Sequence, residues 1–144
     1  MKKPLMTCHV LVLALALALS ATSSALAEPA SANGITYQSG GIGEEEQEKL
    51  RAEASRFNLY MTFAEKISGA YLSDITVTIQ SSTGTPVLTA TSEGPWFFAQ
   101  LPEGRYRVTA GLAGAAGQEQ TRVLQISRGK TEKLHFYWPG HEVR

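Results

Sequence analysis

The sequence predicts an all-β protein, an antiparallel β-sandwich of about seven strands with one short N-terminal helix. Three observations lead there. From Phe57 onward, apolar residues recur at every second position, the period of a strand with one face buried. Clusters of Gly, Pro, Ser and Thr interrupt these runs at short intervals. No helix-length segment lies between the runs, which argues against parallel βαβ units.

The first residues stand apart from that domain. Lys2 and Lys3 form a positive start, Val10–Leu19 is an unbroken apolar run, and Ala25-Leu26-Ala27 is an A-x-A cleavage site ahead of Glu28. This three-part pattern predicts a secretory signal peptide over 1–27. A membrane span needs roughly 20 apolar residues, and this run is about half as long, so no span is expected after cleavage. The expected location is the periplasm or the cell exterior. The only cysteine, Cys8, leaves with the signal, so the mature chain has no disulfide and relies on its core.

Residues 28–43 are rich in Gly, Ala and Ser and read as a flexible leader. Residues 44–56 read as the short helix. Its acids (Glu44, Glu45, Glu46) precede its bases, which suits the helix dipole, and Glu45–Lys49 is an i,i+4 pair. Leu50, Ala54 and Phe57 form a thin apolar stripe that could rest on the sandwich.

The sandwich itself is placed at 57–139, with a tail at 140–144. Phe57, Leu59, Met61 and Phe63 alternate with Asn58, Tyr60, Thr62 and Ala64. Ile75, Val77 and Ile79 form a second run, Tyr106, Val108 and Ala110 a third, and Leu134, Phe136 and Trp138 a fourth. Residues 87–90, 96–98 and 122–126 are shorter candidates. Turn chemistry separates them at Ser81–Pro86, Glu93-Gly94-Pro95, Pro102-Glu103-Gly104, Gly111–Gly117 and Arg128-Gly129-Lys130.

The most specific stretch is Gly94–Val108, which fits G-x-[FW]-x-F-x-x-L-P-x-G-x-Y-x-V. It resembles the carboxypeptidase regulatory-like domains, prealbumin-like sandwiches of secreted and cell-surface proteins. Tyr71–Ile79 is similar to that family's entry strand, and Ser82-Thr83-Gly84 to its first hairpin turn. The resemblance covers most of 70–127 and implies a prealbumin-like or Ig-like sandwich in a stand-alone secreted form. Packing explains the motif equally well. Trp96 and Phe98, two apart, are expected to face the interior, Leu101 to plug the corner, and Pro102 and Gly104 to shape the turn. A packing motif speaks for a fold rather than a function. The chain departs from the family's common form in its extra helix, its long strand from Phe57 and its Ala113–Gly117 loop.

The chemistry of the chain is sparse. No G-x-S-x-G elbow occurs, and after the signal the only histidines are His135 and His141. Prealbumin-like enzymes acting on purine-derived ureides end in a Tyr-Arg-Gly-Ser signature, whereas this chain ends His141-Glu142-Val143-Arg144. His135, His141 and Glu142 fall short of a full zinc set, and His135 is out of phase with the buried Phe136. Gly40-Gly41-Ile42-Gly43 ahead of a helix suggests a phosphate loop, but the glutamates that follow repel an anion. With Lys2 and Lys3 removed the chain is slightly negative and has no clustered basic run, which argues against nucleic acid.

The expectation is therefore a non-enzymatic exported module, without cofactor or metal, that binds a protein or cell-envelope partner through an edge strand or loops. The alternative is a carbohydrate-binding protein whose exposed aromatics are drawn from Phe97, Tyr137 and Trp138.

Overall fold

The computed structural model describes residues 30–140. The signal peptide expected over 1–27 and the tail beyond Gly140 lie outside the described residues. Among those described, nine strands form a sandwich of one five-stranded and one four-stranded sheet. In chain order they are β1 (Ala30–Ala32), β2 (Ile35–Gly40), helix α1 (Glu44–Glu53), β3 (Leu59–Glu65), β4 (Ile75–Ser81), β5 (Pro86–Ser92), β6 (Trp96–Gln100), β7 (Gly104–Leu112), β8 (Gln120–Ile126) and β9 (Glu132–Trp138). The first sheet runs β1-β2-β6-β3-β9 and the second β5-β4-β7-β8.

The core lies where the alternation places it. Leu59, Met61 and Phe63 meet Ile75, Val77, Ile79, Val108, Ala110, Leu124 and Ile126 between the sheets. Tyr106 closes one corner, its hydroxyl donating to the Pro102 carbonyl at 2.8 Å. Asn58 ties the same end together. Its side-chain amide donates to the Leu101 carbonyl at 2.8 Å, and its side-chain oxygen accepts from the Leu101 N–H at 2.9 Å.

Three expectations are corrected. The leader expected over 28–43 contains the β1–β2 hairpin, and β2 pairs with β6 from Thr36↔Gln100 to Gly40↔Trp96. Its small residues conceal a short alternation: Ile35 is buried, and Tyr37 stacks on Phe97 with ring centroids 5.4 Å apart. Asn33-Gly34, both at positive φ (51° and 76°), forms the two-residue turn that matches strand twist.

The sandwich is not wholly antiparallel. β3 and β9 pair in parallel from Leu59↔Glu132 to Glu65↔Trp138. A parallel pair needs a long crossover, but that crossover need not be a helix. Here β6 and the entire second sheet lie between the two strands in sequence.

The faces of β6 are reversed. Phe97 and Ala99 point between the sheets, while Trp96 and Phe98 point to the outer face of the five-stranded sheet. There α1 covers them. Leu50, Phe57 and Phe98 form a second small core, with Ala54, Tyr60 and Trp96 at its margin. A strand buried on both faces has no polar side to show its phase.

The helix forms as expected over 44–56, as α1 and a 3-10 turn at Ala54–Arg56. Its glycine-rich entry is bonded to the helix's own side chains. The Glu46 carboxylate folds back and accepts the Ile42 N–H at 2.9 Å, while Gln47 donates to the Gly41 carbonyl at 3.0 Å. These bonds tie the glycine-rich entry to the first turn of the helix, whose Gly43 N-cap has no side-chain cap.

Candidate functional site

The aromatics singled out from the sequence separate. Phe97 is fully buried beneath Tyr37. Trp138 is 1% exposed, packs on Phe63 and Phe136, and donates its indole N–H to the Gln118 carbonyl at 2.8 Å. Neither can offer a face to a ligand, because both fill the core. Tyr137 is 52% exposed and stacks with His135, ring centroids 6.5 Å apart. It alone of the three lies on a surface.

A cavity of about 510 Å³ lies at the end of the sandwich between Ser55, Gln100, Pro102 and the Ser127–Thr131 turn. Two of its polar side chains are already engaged. The Asn58 amide is held by Leu101, and the Glu103 carboxylate accepts the Arg128 N–H at 2.8 Å.

A smaller groove of about 200 Å³ on the outer face of the five-stranded sheet is differently built. Its floor follows from register. Tyr60 on β3 lies beside Phe98 on β6 and Lys133 on β9, and Thr62 lies beside Trp96 and His135. Neighbouring strands are roughly 4.8 Å apart, so these rows carry three side chains across the face. Tyr60 and Phe98 have ring centroids 4.6 Å apart, and Trp96 stacks on Phe98 at 6.2 Å. Tyr60 is pinned, its hydroxyl donating to the Ala54 carbonyl at 2.5 Å.

Arg51 and Ala54 of the helical segment form one wall, and Lys133 and His135 on β9 form the other. The Arg51 guanidinium lies 5.0 Å from the Trp96 ring centre, and the Lys133 ammonium 6.0 Å from that of Tyr60. Both are cation–π arrangements. Arg51 also donates to the Gln47 side-chain oxygen at 3.3 Å. The ion pairs of the described residues, Lys49–Glu45 and Arg56–Glu53, involve neither Arg51 nor Lys133. No carboxylate lines the groove.

The groove thus combines aromatic rings, two of them partly covered by Arg51 and Lys133, with cations that could meet an acidic group. Among the described residues no group of three His, Cys, Asp or Glu is placed to hold a metal ion. No helix of the described residues is long and apolar enough to cross a membrane. No protein-family model and no curated protein matches the chain.

Tyr137 stacks beside His135 on this face, but it does not line the groove. Sequence reading passed over Arg51, Tyr60 and Lys133 as site residues and assigned Trp96 to the interior. A signal existed for two of them. Tyr60 and Lys133 occupy the outward phase of their strands, where an aromatic and a cation stand out.

The free edge of β9 is partly occupied. On β9 the Tyr137 carbonyl accepts from Gln120 at 2.7 Å, and the Arg122 guanidinium lies 5.4 Å from the Phe136 ring centre. Side chains of β8 thereby bridge the two sheets on that flank.

Proposed function

We propose that this chain is an exported, non-catalytic binding module, a stand-alone relative of the carboxypeptidase regulatory-like domains. It holds a cell-envelope partner in the periplasm or outside the cell. The signal-type start at 1–27 supports export, and the Gly94–Val108 motif on a two-sheet sandwich supports the family reading.

The observation that carries binding is the groove over Tyr60 and Trp96, walled by Arg51, Lys133 and His135. A face whose only task is solubility does not need stacked aromatics beneath unpaired cations. Contact through this face fits better than strand addition at β9, where Gln120 already takes an edge carbonyl.

In-cell photo-crosslinking tests the reading. A photoreactive phenylalanine derivative at Lys133 is expected to trap an envelope component, whereas the same group at exposed Thr89 on β5 traps none. Equal trapping at both positions, or none at Lys133, overturns the groove as the site. Export is checked separately by the mass of the mature N-terminus, expected to begin at Glu28.

A further inference from the structure

We infer that the groove receives a negatively charged carbohydrate, an acidic sugar residue of an envelope glycan. Its acid group lies among Arg51, Lys133 and His135, and its apolar side packs on the parts of Tyr60 and Trp96 that line the groove beside those cations. This rests on the groove being the binding site proposed above.

Charge is the first support. The chain that follows the signal holds more acidic than basic residues, yet the groove is lined by cations and no acid. The helix makes this pointed. It carries Glu44, Glu45, Glu46, Glu48 and Glu53, and its neighbours Lys49 and Arg56 pair with two of them. Arg51, on the same short segment, instead lies over Trp96 and keeps a guanidinium without a carboxylate partner among the described residues. A planar cation held in this way still has N–H groups to offer a carboxylate or phosphate.

The floor is the second support. Sugar rings present apolar C–H faces that pack on aromatic planes, and Tyr60 is held by Ala54 before any ligand arrives. A pinned side chain loses little freedom on binding. An acidic peptide would use the cations and leave the rings idle. A lipid surface would need apolar groups to insert. Of the large exposed apolar residues among those described, Ile42, Ile67, Tyr71, Val123 and Tyr137, only Tyr137 borders this face.

The test uses the chain from Glu28 to Arg144, with calorimetry and tryptophan fluorescence as readouts. Trp138 is buried in the core, so a ligand-dependent change in emission reports on Trp96. The probes are oligogalacturonate and muramic-acid-containing glycan fragments, the same sugars with carboxylates reduced to alcohols, polyaspartate, and vesicles of anionic phospholipid. At least one acidic sugar is expected to bind and shift Trp96 emission, with its reduced form about tenfold weaker. Lys133→Ala and Arg51→Gln are each expected to weaken binding about tenfold with thermal stability retained.

Equal affinity for the reduced sugar overturns the role of charge. Equal or tighter binding of polyaspartate or vesicles assigns the groove to an acidic protein or a lipid surface and overturns the glycan. Silence toward every acidic sugar also overturns it. If crosslinking through Lys133 persists in that case, the binding module stands and only its ligand class falls. Loss of both removes both.

Discussion

Tyr106 holds its corner with a single hydrogen bond to Pro102, and burial pushes its phenol above the ordinary tyrosine range. A pKa raised in the folded state marks stability that is complete below the unfolded value of about 10 and declines as pH climbs through the folded one. Tyr106→Phe is therefore expected to cost about 1 kcal/mol at neutral pH. It should also flatten the alkaline loss of stability. Urea unfolding from neutral pH to about pH 11 checks both. Phe97 and Tyr137 give a sharper contrast. Phe97→Ala empties a fully buried site and should cost about 3–5 kcal/mol. Tyr137→Ala, at the surface, should stay within about 0.5 kcal/mol. Reversed magnitudes in chemical denaturation would mean that the two faces have been assigned the wrong way round.

At the scale of elements, β2 and α1 act as one unit around the glycine-rich passage between them. Gly94, in the link from β5 to β6, packs so tightly on the Gly40 backbone that a Cβ there would overlap it. This close approach seats β2 beside β6 and lets α1 turn back over Trp96 and Phe98. A chain beginning at Gly43 would lose β2 and uncover one edge of β6. The expected loss is about 2 kcal/mol or more, the value of burying Ile35 alone. Increased binding of a hydrophobic dye would accompany it. Unchanged stability would return residues 30–42 to the linker that their composition suggests.

Across the whole molecule, the first sheet is finished by the last strand. β9 supplies Phe136 and Trp138 to the core and closes the sheet in parallel on β3. A chain ending at Gly129 is expected to lack a cooperative unfolding transition, because Phe63 loses both aromatic partners. Circular dichroism and a thermal melt would show it. The same pairing assembles the groove. Arg51, Tyr60, Trp96 and Lys133 are scattered along the sequence and meet only where β6, β3 and β9 lie side by side beneath the helical segment. Much of the architecture was legible beforehand. Period two in Leu59–Phe63, Ile75–Ile79 and Tyr106–Ala110 marks strands and their inner faces, since a half-buried strand writes its burial into alternation. The acid-first run at Glu44 marks the helix in the same local way. The phase of β6 was not legible, because its first four residues, Trp96 to Ala99, are all apolar, as expected of a strand covered on both sides. Nor was the groove. Which strands lie side by side, and in what register, is decided by long-range packing, and only that choice puts two cations and a histidine over one aromatic floor.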